Sequence, residues 1–574
     1  MKKILSVLVT AATLISSCAL FSACEKQSKE TLPADGEAGF DISGYEIVYS
    51  TTSKTEIMEA AQALGNRIAI KAGTTLNVKD DSLTDGEDAS AKKEILVGYT
   101  DRAESRALRD KLDGVNNDKA FAVEVSGNKI CIMGKNVDVT VRAVKYFATN
   151  YVSTSQKEGT LNLPADLSTA QVADTSTIIY TDSLVELKIS KKYNLYLSEK
   201  DMTASSTVTY PKLVELQYQA NAENNGVMLA TFNSSEPFYR IMKSVDNGNT
   251  WTEIAKVYDG YNTDLNAGRM PHLFELPVDM GDFKKGTILL AGTSSPASSA
   301  NFEKSAITLY SSTDLGETWT SLPSLDYAKG RTNGDGIWEP FLIYDDSTGR
   351  LYCFYSDDSD PEHDQKLVYK YTTDLKTWVG KDGKTGQTDD PKEAVACDDP
   401  KLRPGMISIA KMGNGEYIMT YEFYGYKGDD GKWLYPGNPT YAKRTRDLDD
   451  WGDISDYGTE VLSVNGNSFG SSPWCAWSPV GGPCGTLVVT GKHKVQNNDK
   501  KDAPALFLSF DYGKTYIELE NPIGYTYNED NRSGYSPCVM FSADGKTLYY
   551  ATNPPKRSNE SQAYVAMVRI EIIE

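Results

Sequence analysis

The chain reads as a mainly β protein: a six-bladed β-propeller preceded by a small α+β domain. Two periodicities carry that expectation. First, six strand-like segments open on a residue–proline pair. These are Tyr210-Pro211 before KLVELQ, Met270-Pro271 before HLFELP, Glu339-Pro340 before FLIYDD, Arg403-Pro404 before GMISIA, Ser472-Pro473 before WCAWSP and Ser536-Pro537 before CVMFSA. The prolines recur at intervals of 60 to 69 residues, and self-similarity at a near-constant long period marks a repeat architecture. Proline cannot donate to a sheet ladder, so it belongs at the first residue of a strand or on an edge; the innermost strand of a blade offers such a place. Second, the pattern S-x-D-x-G-x-T-W/Y occurs at 244–251, 312–319 and 509–516, with shortened forms TTDLKTW (372–378) and TRDLDDW (445–451). Its chemistry is that of a turn: Asp and Ser cap a hairpin, Gly supplies a positive φ, and the aromatic residue packs between blades.

Taken in order, the first 24 residues are a targeting segment. Lys2 and Lys3 precede the apolar run Ile4 to Phe21, and Ser22-Ala23 stand before Cys24. This resembles a bacterial lipoprotein signal, in which Cys24 becomes the lipidated N-terminus and holds the body outside the cytoplasmic membrane, at the cell surface. Cys18 is a looser fit, and a plain secretory peptide is the alternative. Residues 25–40 form a polar linker. Residues 41–165 read as the α+β domain: a strand at EIVYS, a helix from Thr55 to Ile70, strands TLNV and EILVGY, a charged helix from Asp101 to Leu112, a hairpin FAVEV/KICIMG closed by Ser126-Gly127-Asn128, and a helix from Val137 to Tyr151. From 190 to 574 the alternation is strand-like throughout.

Composition narrows the partners. A net charge of −20 over 574 residues argues against nucleic acid, whose phosphates need a basic surface, and against a strongly anionic polysaccharide. A neutral ligand fits. Beyond the signal, six cysteines are scattered without CxxC or Cys/His spacing. No metal or other cofactor is expected, and free thiols are, with a Cys475–Cys484 pair as the alternative.

Topology locates an active face. In an up-and-down blade the start of the first strand and the end of the second lie on one side, and the S-x-D turns lie on the other. The sixth unit lacks an outer strand, which KKYNLYLSEK (191–200) can supply, closing the ring. Around the axis at that face should gather Lys212, Arg269, His272, Trp338, Glu339, Arg403, Tyr421, Glu422, Trp474, Arg532 and Tyr535, with Asp357, Asp358 and Asp360 from a loop. His272, His363 and His493 have no ligand spacing and read as structural. Glu339 and Glu422 would face each other across neighbouring blades. A pair of carboxylates, one protonated and one ionised, is what glycoside hydrolysis requires.

The segments WEPFLIYDDSTGRLYCFYSDDSDPEHDQKLVYKYTTDLKTW, RPGMISIAKMGNGEYIMTYE and SSPWCAWSP resemble glycoside hydrolase family 93, the exo-α-1,5-L-arabinanases, over residues 205–555 and most densely over 337–425. The resemblance implies a six-bladed propeller that releases arabinobiose from the non-reducing end of α-1,5-arabinan with retention. It assigns the acid/base to Glu339, the nucleophile to Glu422, and a role near the axis to Tyr535. The partners implied are a plant-type arabinan or related neutral furanoside, met by a monomer on its lipid anchor. The S-x-D turns resemble the Asp boxes of sialidase-like propellers, so an exo-α-sialidase is the first alternative. Sialidases clamp a carboxylate with three arginines, and here Lys212 stands where the first would be. A surface glycan-binding lipoprotein without turnover is the second. Lys212 and insertions around 380–400 and 425–440 depart from the arabinanase pattern. Residues 41–165 loosely resemble the non-catalytic α+β domain found ahead of some hexosaminidase- and glucuronidase-type catalytic domains.

Overall fold

The computed structural model describes residues 39–197, 208–234, 236–297, 304–329, 336–428, 430–435, 437–496, 499–500, 504–525, 533–555 and 564–573. Cys24, the signal, most of the linker and Arg532 lie outside the described residues. The chain divides into two compact units, one ending at Lys188 and the other formed by Ile189–Val480 with Cys484–Glu571.

The first unit is a six-stranded sheet with three helices. Tyr45–Tyr49 pairs in parallel with Asn77–Asp80 and with Lys93–Val97, and Lys93–Val97 with Lys129–Gly134. The hairpin Ala120–Ser126/Lys129–Gly134 turns at Gly127, whose φ of 60° suits glycine. The helices Thr55–Lys71, Ala103–Asp113 and Val137–Phe147 fall where apolar spacing puts them. Ile57, Ala60, Ala61, Leu64 and Ile68 bury one face of the first against Ile47, Ile95 and Val144. The unit runs past 165, because Ser168–Val172 adds an edge strand to Ala120–Ser126. At the centre of the sheet Glu94, fully buried, is held by Arg102 at 3.0 Å and Lys129 at 3.0 Å, the pairing a buried carboxylate needs.

The second unit is the six-bladed propeller. Its inner strands are Thr209–Glu215, Asn266–Glu275, Ile337–Asp345, Arg403–Lys411, Trp474–Ser478 and Cys538–Phe541, in blades 1 to 6. Each begins an antiparallel meander. In blade 6 the strands Cys538–Phe541, Thr547–Thr552 and Tyr564–Ile573 are followed outward by Tyr193–Leu197, which pairs antiparallel with Tyr564 to Met567. The ring therefore closes with a strand from ahead of blade 1, as the missing outer strand required, and closure removes an exposed edge. Apolar side chains of neighbouring blades interdigitate: Tyr352, Phe354 and Tyr369 of blade 3 pack with Met419, Tyr421 and Phe423 of blade 4.

In blades 1 to 3 the prolines do not start the inner strands, as sequence suggested, but sit within them at a bulge; Pro404 is the second residue of its strand, and Pro473 and Pro537 directly precede theirs. Register slips at Thr209/Lys212, Arg269/His272, Trp338/Phe341 and Gly405/Ser408. A left-handed residue stands near this place in each blade: Tyr210 (φ 53°), Met270 (50°), Glu339 (62°), Met406 (59°), Ser472 (49°, after Ser471 at 68°) and Ser536 (54°). In blade 4 the position is Met406-Ile407 rather than Arg403-Pro404, so the repeat is offset there. A non-glycine residue in this conformation costs on the order of 1–3 kcal/mol. A bulge both frees the proline from its missing ladder bond and re-aims the side chain before it. Among the residues so placed is Glu339.

The turns after the third strands have one geometry. In blade 2, Asp314 Oδ1 accepts from Ser312 Oγ at 2.8 Å and the Thr318 amide at 2.9 Å, Ser312 Oγ accepts the Gly316 amide at 3.0 Å, and Trp319 Nε1 donates to the Gly316 carbonyl at 2.8 Å. Asp246 and Asp511 repeat the pattern. Trp319 packs on the cluster that blade 2 shares with Leu229 and Ile241 of blade 1. The six cysteines beyond the signal are free thiols, five buried and Cys484 half-buried.

Candidate active site

Glu339 and Glu422 come to the same end of the axis by two routes. Glu339 lies in the bulge of blade 3, between the paired Trp338↔Ser356 and Phe341↔Phe354. Glu422 is near the end of the second strand of blade 4, opposite Gly405. Strand alternation sends its neighbours the other way: Tyr421 and Phe423 are fully buried in the core between blades 3 and 4. Tyr421, expected at the sugar, is instead a core residue whose hydroxyl donates to the Tyr457 carbonyl.

The two carboxylates sit in different surroundings. Glu339 is half-buried; it accepts from Tyr210 Oη at 3.0 Å, Ser356 Oγ at 3.0 Å and the Met406 amide at 3.2 Å. Burial, and then the negative charge of Glu422, push its pKa up to about 7, against the pull of those three hydrogen bonds. Glu422 is 5% exposed and accepts the Ser472 amide at 2.5 Å. Burial raises it too, but here the opposing influences are the Ser472 amide, Ser471, and the cations Lys492 and Arg403. Both are raised, but cations stand among the influences that favour ionised Glu422, whereas the charge of Glu422 weighs against ionising Glu339.

Two tyrosines join them. Tyr210 and Tyr535 meet edge to face at 5.4 Å, and the Tyr210 amide donates to the Tyr535 carbonyl at 3.1 Å. The Tyr535 hydroxyl is held protonated by burial and by the charges of Glu422 and Glu339. A small cavity of about 20 Å³ lies among Tyr210, Lys212, Glu339, Met406, Trp474 and Ser536.

Of the other expected residues, Arg403, Asp358 and Trp338 form one group. Arg403 Nη2 donates to Asp358 Oδ2 at 2.8 Å and to Gln365 Oε1 at 3.0 Å, and Trp338 Nε1 donates to the same Asp358 oxygen at 3.4 Å. The guanidinium lies 5.4 Å from the ring of Tyr424, which is half exposed at the end of the strand that carries Glu422. Arg269 reaches this end of its strand half-buried. Asp360 is ion-paired with Lys366 at 2.6 Å. Lys212 is not at the surface of the site: it is 3% exposed, with its ammonium 3.7 Å from the ring centre of the half-buried Trp474. His272 is a correction to the list of sugar contacts. Its ring stacks on Phe341 at 4.6 Å, its Nδ1 accepts the Leu342 amide at 2.9 Å, and burial pulls its pKa down to about 3, so it stays neutral. It lines a separate cavity of about 370 Å³ further along the axis, with Phe341, Trp474 and Trp477.

Sequence reading passed over Tyr210, Ser356, Ser472 and Lys492. Tyr210 had a visible signal, since it precedes its proline as Glu339 does. Ser472 precedes Pro473 in the same way, and Ser356 had no such signal.

No family model matches the chain, and no curated protein does. Solved structures do. The α-L-arabinanase of Penicillium chrysogenum, complexed with arabinobiose, is 26% identical with a TM-score of 0.54, the alignment covering 67% of this chain and 98% of that one. The family 93 α-L-arabinofuranosidase of Fusarium graminearum, also with arabinobiose, is 25% identical with a TM-score of 0.52, over 66% and 97%. The chain has the fold of the family 93 glycoside hydrolases. That likeness agrees with the resemblance carried by the WEP and TYE segments, and its extent of about two thirds of the chain is that of a propeller without the α+β unit.

Proposed function

We propose that the chain is a glycoside hydrolase acting on an arabinan-type glycan, and more finely a retaining exo-enzyme that releases arabinobiose from α-1,5-linked arabinan outside the cytoplasmic membrane. The observation that carries the reading is the unequal pair of glutamates on adjacent blades. Retaining hydrolysis needs a carboxylic acid that is protonated at working pH and a second, ionised carboxylate. Glu339 fits the first part: its pKa near 7 leaves a proton to give to the glycosidic oxygen as the bond to the leaving sugar breaks. Glu422, with an amide at 2.5 Å and two cations near, fits the carboxylate that attacks the anomeric carbon. Once ionised by that transfer, Glu339 takes a proton from water, and the hydroxide equivalent releases the sugar from Glu422. Tyr210 and Tyr535, both kept protonated, can donate to the two carboxylates or to sugar hydroxyls but are poor bases.

A neutral furanoside suits the remaining polar groups. Arg403 is already neutralised by Asp358, which supports hydroxyl recognition over the clamping of an anionic sugar. The hairpin Tyr426–Lys427/Trp433–Leu434 follows directly on the strand bearing Glu422; in an exo-enzyme it would close one side of the site. Linear α-1,5-arabinan, with products followed by chromatography from the first turnovers, tests this. Arabinobiose as the sole early product supports the reading, and a ladder of longer oligomers removes the exo mode. Release of sialic acid from a sialoside, or saturable binding with no product, overturns it.

A further inference from the structure

Lys212 is an axial cation that the proposed chemistry leaves without a task. It occupies the inner strand of blade 1 with 3% exposure. Its ammonium donates to Ser536 Oγ at 3.0 Å, the Ser536 carbonyl at 3.3 Å and the Pro537 carbonyl at 3.4 Å, and it lies on the face of Trp474. None of these partners is a carboxylate. Burying an ammonium without a counter-ion costs several kcal/mol, and a leucine or methionine would fill an inner strand without that cost.

The hydrogen bonds lead onward. The Ser536 amide donates to Ser472 Oγ at 2.9 Å, and the Ser472 amide donates to Glu422 Oε2 at 2.5 Å. Lys212 of blade 1, Ser536 of blade 6, Ser472 of blade 5 and Glu422 of blade 4 therefore form one unbroken series around the axis. Both serines are left-handed, with φ of 49° and 54°, just ahead of the inner strands of their blades. A backbone held in this sparsely populated region persists where its surroundings fix it, and here each serine is tied on both sides.

We propose that Lys212 is a positioning residue for Glu422, acting through Ser536 and Ser472 to aim the Ser472 amide at the attacking carboxylate. The influence on Glu422 is mechanical. The charged and titratable groups that face Glu422 are Lys492 and Arg403, with Glu339, Tyr535 and Tyr210 across the site. The titratable groups that face Lys212 are Cys538, Glu339, His272 and Tyr210. Loosening the series weakens the amide bond that favours ionised Glu422, so the carboxyl becomes harder to ionise.

The inference rests on the proposed role of Glu422, and the test separates the two. Lys212→Met should lower kcat by about 10- to 100-fold, the scale of a small misplacement of a reacting group, with KM little changed. The acidic limb of the kcat/KM profile should move to higher pH. Lys212→Gln, which keeps a donor for Ser536 Oγ, should recover part of both. Ser472→Ala, which keeps the amide and removes the acceptor for Ser536, should shift the same limb without touching the lysine, and covers the case in which Lys212→Met fails to fold. The double variant should lose little more than the larger single, since residues in one network are not additive. An unmoved acidic limb in both single variants, or fully additive losses, overturns the inference while leaving Glu422 in its role. A wild type that turns over no furanoside removes that role first.

Discussion

Replacing Glu339 by glutamine should abolish turnover and stabilise the propeller, and the stabilisation should depend on pH. Burial and the Glu422 charge lift the Glu339 pKa from 4.5 to about 7. In the unfolded chain the carboxyl ionises near its ordinary value, whereas in the folded chain it holds its proton until about pH 7. The wild type therefore has its full stability below the unfolded pKa and loses part of it as pH rises through the folded one. At 1.36 kcal/mol per unit the loss is about 3 kcal/mol at most, and solvent at the half-buried carboxyl reduces it to roughly 1–2 kcal/mol. Glutamine keeps the shape and cannot ionise. Thermal unfolding of wild type and Glu339→Gln should coincide at about pH 4 and separate by a few degrees at about pH 8, with the variant the more stable. A variant that is less stable at both, or a difference that does not change with pH, would refute the electrostatic argument for Glu339 as the proton-bearing partner.

The kcat/KM profile of the wild type should be bell-shaped, with its alkaline limb near pH 7 from Glu339 and its acidic limb above the ordinary carboxylate range from Glu422. Tyr210→Phe removes a hydrogen bond that favours ionised Glu339, so the alkaline limb should move up, with a cost in kcat/KM of about 0.5–1.5 kcal/mol. Asp314→Ala unties Ser312 and Thr318 in a turn away from the site and should lower the unfolding temperature, by about 1 kcal/mol or more in stability, with kcat and KM unchanged. Cys24→Ser should move the protein from the membrane fraction to the soluble one without altering its specific activity. Retention of the full amount in membranes would leave the lipid anchor without support.

The architecture was legible because a propeller writes its period into the chain. Residue–proline pairs mark one end of each blade, S-x-D turns or their shortened forms mark the other end in five, and an absent sixth outer strand points to Tyr193–Leu197. What the period could not show was depth. Tyr421 and Glu422 are adjacent letters that alternation sends to opposite sides, and counting residues near the axial end included both. His272 and Lys212 stand on inner strands at the right level, yet their rings and charges face packed neighbours instead of open solvent. The bulge was illegible as such: Pro404 suggested the register of blade 4, while the left-handed residue there is Met406. Contacts such as the Ser472 amide on Glu422 join residues 50 positions apart through backbone, which carries no side-chain signature.

The division of labour between the two glutamates is tested most directly by azide rescue on an aryl α-L-arabinobioside, whose good leaving group needs no acid. With Glu339→Ala, azide should attack the glycosylated Glu422 and give the α-azide by double displacement. With Glu422→Gly, azide should replace the missing carboxylate and give the β-azide in one step. Proton NMR of the anomeric signals distinguishes the two. Opposite configurations from the two variants are the predicted result; the same configuration from both, or an active Glu422→Gly enzyme that needs no azide, would contradict the account.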